Sequence, residues 1–256
     1  MPSLRVILFA MLCVILTGRS PLPAAPHEPS PAGGGWLDFH SELSVIQSEG
    51  PWFPAFPGPL TLEAWLYVDE PPDIRNAFSI VGQTDRFNWA ILRSSRGNVD
   101  DIPAAIGGIF TPETGMVTAQ LPARQWVHYV ATIDGGAAVG GGGFLTNLGS
   151  GGPLASVRNP LILGGVPVLP EGALPPGIEK TLPTTGVYID ELRISRVVRY
   201  RPGEKYPVPT KAFTADADTL GLYHFDGESS ERYEDASEYQ IALIRGKKHA
   251  ESKSNQ

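Results

Sequence analysis

The chain has 256 residues, rich in glycine (29) and proline (25) and only 18% charged, which suits short strands joined by many turns and shows no long helical pattern. Its net charge is −7, and the one basic cluster, Arg245–Lys248, lies in the tail, which argues against a nucleic-acid partner. The single cysteine, Cys13, sits in an apolar N-terminal run, so the body has neither a disulfide nor a cysteine-based metal site or nucleophile.

Met1–Arg5 is short and basic, and Val6–Leu16 is an unbroken apolar run. That run is short for a bilayer span and suits the apolar core of a signal peptide. Residues 1–25 are therefore expected to be a signal peptide, with Ala24 and Ala25 as cleavage positions. The alternative is an uncleaved signal anchor, which would tether the protein to a membrane. Either way the expected location is outside the cytoplasm: secreted, periplasmic or at the cell surface. Residues 26–35 read as a Pro/Gly/Ala linker without a core of its own.

The body, 36–243, follows as a series of strands. Trp36–Ile46 is predicted as a first strand, and Trp52–Pro59 as a Pro/aromatic loop. Thr61–Val68 alternates with large groups on both faces: Leu62, Ala64, Leu66 and Val68 on one, Glu63, Trp65 and Tyr67 on the other. That pattern predicts an interior strand. Phe78–Gln83 and Phe87–Arg93 flank Thr84-Asp85-Arg86 as a hairpin, and Ala104–Phe110 is a further short strand. Gln125–Asp134 alternates and ends at the turn signal Asp134-Gly135. Gly135–Gly152 is so rich in glycine that a flexible surface loop is expected; neither a helix pattern nor a lysine follows, as a phosphate loop would need. Pro160–Gly165 is a short strand and Val166–Pro183 a Pro-rich loop. In Val187–Ile194, Ile189 and Leu192 reach one face only if a β-bulge lies near Asp190-Glu191. Leu220–Phe225 is the last clear strand, Ser237–Arg245 pairs once more, and residues 244–256 form a polar tail.

These segments, in this order, resemble the laminin-G-like/concanavalin A-like jelly-roll family of bacterial secreted proteins. Leu37-Asp-Phe is similar to its opening strand, and Thr61-Leu-Glu-Ala-Trp-Leu-Tyr to a "Thr-Ile-Glu-Ala-Trp-Val" strand. Gln125–Gly135 looks like its "Trp-His-hydrophobic-Ala-Thr-Tyr-Asp-Gly" strand and turn. Gly186-Val-Tyr-Ile-Asp-Glu-Leu-Arg-Ile-Ser resembles the closing "Gly-x-Ile-Asp-Glu-Val-Arg-Ile". Leu222-Tyr-His-Phe-Asp-Gly-Glu, with Asp235-Ala-Ser beyond it, is similar to a strand found beside such domains. The resemblance implies an all-β jelly-roll sandwich of two antiparallel sheets. Two departures stand out: the glycine run replaces a "Leu-Tyr-Val-Asn-Gly" strand, and Phe39-His40-Ser41 replaces "Phe-Asp-Gly".

The resemblance implies a non-catalytic extracytoplasmic module that binds a glycan or a cell-surface protein. Sugar rings stack on aromatic faces, so Trp52, Phe53 and Phe56 in the Pro-rich loop are one candidate platform, unless the loop folds back over a sandwich edge. A structural calcium ion is a candidate at Asp190 with Glu42 or Asp38. Otherwise Asp190 accepts backbone bonds at the bulge and Glu191 faces water. Strand geometry is expected to split this acidic pair. Two alternatives stay open: a glycoside hydrolase or lyase on the same sandwich, which needs facing carboxylates, and an adhesion module with no small ligand. His128 and His224 lack a nucleophile motif and read as structural, and Asp216 and Asp218 read as loop residues.

Overall fold

The computed structural model describes residues 28–39, 46–52, 58–69, 76–99, 102–146, 149–164, 179–180, 186–227 and 231–245. The expected signal segment, most of the Pro-rich loops and the end of the tail lie outside them. Among the described residues there is no helix, and therefore none long and apolar enough to cross a membrane.

Seventeen strands run in chain order among the described residues. They are β1 (Leu37–Asp38), β2 (Ile46–Ser48), β3 (Leu60–Val68), β4 (Asn76–Gln83), β5 (Phe87–Val99) and β6 (Ile102–Thr111). Next come β7 (Gly115–Pro122), β8 (Trp126–Ile133), β9 (Gly136–Gly141), β10 (Phe144–Leu145), β11 (Gly149–Ser150) and β12 (Leu161–Leu163). The last are β13 (Glu179–Lys180), β14 (Val187–Ser195), β15 (Thr219–Tyr223), β16 (Arg232–Tyr233) and β17 (Leu243–Arg245).

The first sheet has the order β1-β14-β3-β8-β9-β10, with β15 beside β14 and β11 beside β9. The second has the order β16-β17-β2-β12-β4-β5-β6-β7. Pairing is antiparallel throughout, apart from the two-residue β13, which runs parallel to β4. The two sheets bury one core between them. From the first sheet it takes Leu62, Leu66, Ala131, Ile189 and Ile194, and from the second Trp89, Ile91, Ile109 and Leu161. At its centre Trp89 of β5 stacks on Tyr129 of β8, with ring centroids 5.0 Å apart and planes within 11°. Gly107 of β6 makes room for this pair, because a Cβ there would fall on the Tyr129 hydroxyl.

Several expectations change. The predicted first strand is two strands in different sheets, β1 and β2. β7, which the sequence reading passed over, pairs with β6 along its whole length. The glycine run is not a surface loop: β9 lies inside the first sheet beside β8, with Ala137, Ala138 and Val139 fully buried. Its glycines are there for space. A Cβ at Gly140 would collide with the backbone of Phe144 and Leu145, and Gly142 and Gly143 turn the chain at positive φ. The expected linker is also structured: residues 30–35 lie against the first sheet, and Ser30 is buried. The further pairing expected within Ser237–Arg245 is present as β17, which takes in Ile244 and Arg245 from the start of the expected tail.

The bulge in β14 forms as expected. Asp190 opposes Trp65 and Arg193 opposes Glu63, so Glu191 and Leu192 share one place against β3. Glu191 takes φ = 55°, and this turns both Ile189 and Leu192 into the core.

Candidate binding face

Register fixes what the outer face of the first sheet displays. Directly opposed residues run across the strands in rows. One row is Asp38 (β1), Tyr188 (β14), Tyr67 (β3) and Trp126 (β8). The next is Asp190, Trp65 and His128, and beyond the bulge come Arg193, Glu63 and Val130, then Ser195, Thr61 and Thr132. β3 and β8 alternate strictly, so every second side chain is on this face.

Most of the face is covered by the chain itself. Residues 196–218, between β14 and β15, cross it and bring Tyr200, Tyr206, Val208 and Phe213 down onto it. Glu63 is the hub beneath, with no exposed surface. Arg193 donates to it at 2.8 Å and the Tyr200 hydroxyl at 2.6 Å, while His128 Nε2 lies 3.1 Å away. Burial works to raise the Glu63 pKa, but the bond to His128 and the Arg193 charge outweigh it and hold it below the usual value. Around His128 stand Trp65, Tyr200, Tyr206 and Phe213, with ring centroids 5.6–5.7 Å from it. The cover is clamped by Arg199, whose guanidinium bonds Asp216 at 2.9 and 2.6 Å and whose Nε donates to Ser195 at 2.6 Å. Asp216 is thus a loop residue, as expected, with its carboxyl held far down chiefly by Arg199.

A second cover is the N-terminal segment. Ser30 Oγ donates to Asp190 Oδ2 at 2.6 Å, Gly35 N–H to Asp226 at 2.6 Å, and Trp126 Nε1 to the Glu28 carbonyl at 2.9 Å. Asp190 is left with no exposed surface, and its Oδ1 has no hydrogen-bond partner among the described residues. Burial raises its pKa to about 7, with the Glu191 and Asp226 charges adding to the effect. Glu191 does not face water. Its left-handed backbone keeps it off the core, where one oxygen accepts the Phe213 N–H at 2.7 Å and the other lies 2.6 Å from His224 Nδ1. The acidic pair is therefore not split between the two faces, because the bulge breaks the alternation that would have parted it.

The proposed ligands fare unevenly. Trp52 has no exposed surface: it lies in the core, with its backbone carbonyl taking a bond from Gln83 at 2.8 Å, so it is not a sugar platform. Phe53 and Phe56 lie outside the described residues, as does Glu42. Calcium takes six to eight oxygens. Asp190 and Asp38 do not fit that need, since they sit in different rows, Asp190 Oδ2 is occupied by Ser30, and no group of three candidate ligands comes together among the described residues.

What stays open is the first row. Trp36, Tyr67 and Trp126 are all partly exposed, while Tyr188 is tucked beneath them. Trp126 is the centre, 6.2 Å from Trp36 and 5.6 Å from Tyr67. Tyr67 in turn meets Tyr188 edge-on at 5.9 Å. Charged groups border the rings: burial, then the carboxylates of Asp38 and Asp69, push Tyr188 up to about 12. Burial and Asp69 likewise raise Tyr67, and Arg124 opposes them. Arg124 Nε donates to the Asp69 carbonyl at 3.3 Å. An open cleft of about 250 Å³, walled by Gly58, Pro59, Asp134, Gly135, Gly151 and Leu154, lies at the opposite end of β3 and β8, with Asp134 its one charged side chain.

No family model matches this chain, and no curated protein matches it by sequence. Solved structures do. A proposed carbohydrate-binding protein from Bacteroides ovatus ATCC 8483 aligns with TM-score 0.52 and 17% identity, over 83% of this chain and 57% of its own. The chain thus spans little more than half of that neighbour's length. A heptameric SAP-like pentraxin from Limulus polyphemus aligns with TM-score 0.40 and 14% identity, over 81% of this chain and 90% of its own. At such identities likeness shows the fold alone: an all-β jelly-roll sandwich of two antiparallel sheets, consistent with the concanavalin A-like architecture.

Proposed function

We propose that this protein is a non-catalytic carbohydrate-binding module that works outside the cytoplasm. One observation carries the reading: on a sheet face largely covered by its own chain, Asp38, Tyr67 and Trp126 of the first row, joined by Trp36, stay partly exposed. Sugar rings have apolar faces that stack on aromatic rings and hydroxyls that need polar partners. Trp36, Tyr67 and Trp126 offer the first, and the neighbouring Asp38 and Arg124 the second. The Bacteroides ovatus neighbour, called a proposed carbohydrate-binding protein, supports this by analogy of fold. The motif order that resembles laminin-G-like domains and the apolar Val6–Leu16 run support the same reading and its extracytoplasmic setting. Burial of Asp190, Glu191 and Glu63 speaks against a hydrolase at these acids, because a substrate cannot reach them.

The test is a glycan array probed with the chain and with Trp126→Ala, each with and without EDTA. Binding by the parent that falls at least tenfold in the variant and ignores EDTA is expected. If no glycan binds, the carbohydrate reading fails and the adhesion module takes its place.

A further inference from the structure

We propose that the N-terminal segment, residues 28–36, is a working part of the first row: Ser30 and Asp190 are positioning residues that latch it over the sheet, and closing this latch is what brings Trp36 and Trp126 together. Its meaning for ligand binding rests on the carbohydrate reading above. The path of the segment carries the argument, because it crosses the outer face of the first sheet and is anchored along the way. The Glu28 carbonyl accepts the Trp126 indole N–H of β8 at 2.9 Å. Ser30 Oγ donates to Asp190 of β14 at 2.6 Å. Ala32 packs against the cluster of Trp65, Phe213 and Leu222, as Trp126 itself does. Gly35 N–H donates to Asp226, beyond β15, at 2.6 Å. Trp36 then brings its ring to 6.2 Å from Trp126, and β1 begins. One segment therefore holds Trp126 twice, by its indole nitrogen and by its ring. Ser30 is buried in a turn of its own: its Oγ accepts the Ala32 N–H at 3.0 Å and its carbonyl the Gly33 N–H at 2.9 Å. Glu28 lies only two positions away, so freeing Ser30 also frees the acceptor of the Trp126 indole.

The latch closes on a group whose charge is costly where it sits. Asp190 has no exposed surface, and its Oδ1 has no hydrogen-bond partner. A buried carboxylate oxygen without a partner is tolerated far better neutral than ionised. Lifting the segment lets water reach that oxygen, so ionisation of Asp190 favours the open latch. The groups that face Asp190 are Glu191 on its own strand and Asp226 beyond β15, with His224 engaged on Glu191. Along its row stand Trp65 of β3 and then His128 of β8. Burial, with the Glu191 and Asp226 charges adding to it, raises Asp190 to about 7. The latch is therefore closed in acid and loosens as pH rises through about 7.

The experiment follows the full chain from pH 5 to 8 by two readouts. One is hydrogen exchange of the Trp126 indole N–H, taken relative to its intrinsic rate at each pH, which needs no ligand. The other is binding to a glycan array. At pH 5, Ser30→Ala is expected to quicken the indole exchange and to weaken array binding, each by about fivefold or more. In the parent, indole protection and array binding are expected to fall together from pH 5 to 8. Asp190→Asn, which keeps Glu191, Asp226 and His224, is expected to flatten both slopes. Indole protection that ignores Ser30→Ala, or a pH slope that persists in Asp190→Asn, overturns the latch. Quickened exchange with unchanged array binding overturns its part in the first row. If the parent binds no glycan while the indole exchange follows Ser30 and Asp190, the carbohydrate reading fails and the positioning of Trp126 stands.

Discussion

The outer face of the first sheet has two halves built from the same strands, and they differ in what lies on top. In the inner half, Glu63, His128 and Trp65 are roofed by residues 196–218 and by the N-terminal segment. In the outer half, Tyr67 and Trp126, two residues further along β3 and two residues back along β8, stay partly exposed. Strand pattern alone gives both halves the same character: large, aromatic and polar mixed. The difference teaches that a sheet face becomes core or binding surface according to where a connecting segment travels. The roofed half gathers its polar groups on Glu63, whereas in the open half Arg124 bonds the Asp69 carbonyl at the border of partly exposed rings.

Four changes break or sharpen this contrast. The largest effect is expected from Glu63→Ala. It leaves Arg193 and His128 without their shared carboxylate under the roof, and losing one partner of a buried pair costs about 3–5 kcal/mol. Chemical denaturation reads this directly; a loss under 1 kcal/mol would mean the roof does not depend on its hub. Tyr200→Phe is gentler, removing only the 2.6 Å bond to Glu63, for about 1–3 kcal/mol since the acceptor is charged.

The third change is in pH, and the two buried acids give opposite signs. Glu63 is held below its ordinary pKa, so its contribution is present above that value and is lost as pH falls. Asp190 is raised to about 7, so its contribution is full in acid, below its ordinary range, and is lost as pH rises through about 7. The groups facing Asp190 are Ser30, Glu191 and Asp226, with His224 engaged on Glu191. Protection of residues 28–36 from hydrogen exchange, taken relative to the intrinsic rate at each pH, is therefore expected to fall from pH 5 to 8, and Asp190→Asn to flatten that slope. Protection that does not change with pH would show that Asp190 keeps its charge beneath the cover. The smallest effect on stability is expected from Trp126→Ala, about 1–2 kcal/mol for a partly exposed ring that pairs with Trp36 and Tyr67 and donates to the Glu28 carbonyl. Thermal unfolding beside a binding titration checks it, because the open half should lose ligand while keeping its fold.

Much of the framework was legible along the chain. Leu62 to Val68 showed the inner face of β3, and Gln125–Asp134 showed β8 with its turn. The conflict between Ile189 and Leu192 located the bulge. The glycine run misled because glycine is read as freedom, whereas at Gly140 it is there for close backbone approach. Trp52 misled because a Pro-rich loop was expected at the surface. Its indole instead fills the core beside the Gln83 anchor. The roof was missed although it carried a signal: Tyr200, Tyr206 and Phe213 sit in a connection too long for an ordinary loop, and such a connection must pack somewhere or serve a function.

By itself the sequence determined the class of fold, strands such as β3, β5, β8 and β14, and which side chains share a face on β3 and β8, because alternation is a local property of the backbone. Only the tertiary structure decided that Asp38, Tyr188, Tyr67 and Trp126 stand in one row. That depends on β1, β14, β3 and β8 being neighbours in a particular register, and those pairings join residues far apart in the chain. It also decided that Glu63 and Asp190 are buried while Trp126 is not, since the path of residues 196–218 and 28–35 over the sheet is set by packing and by no local pattern.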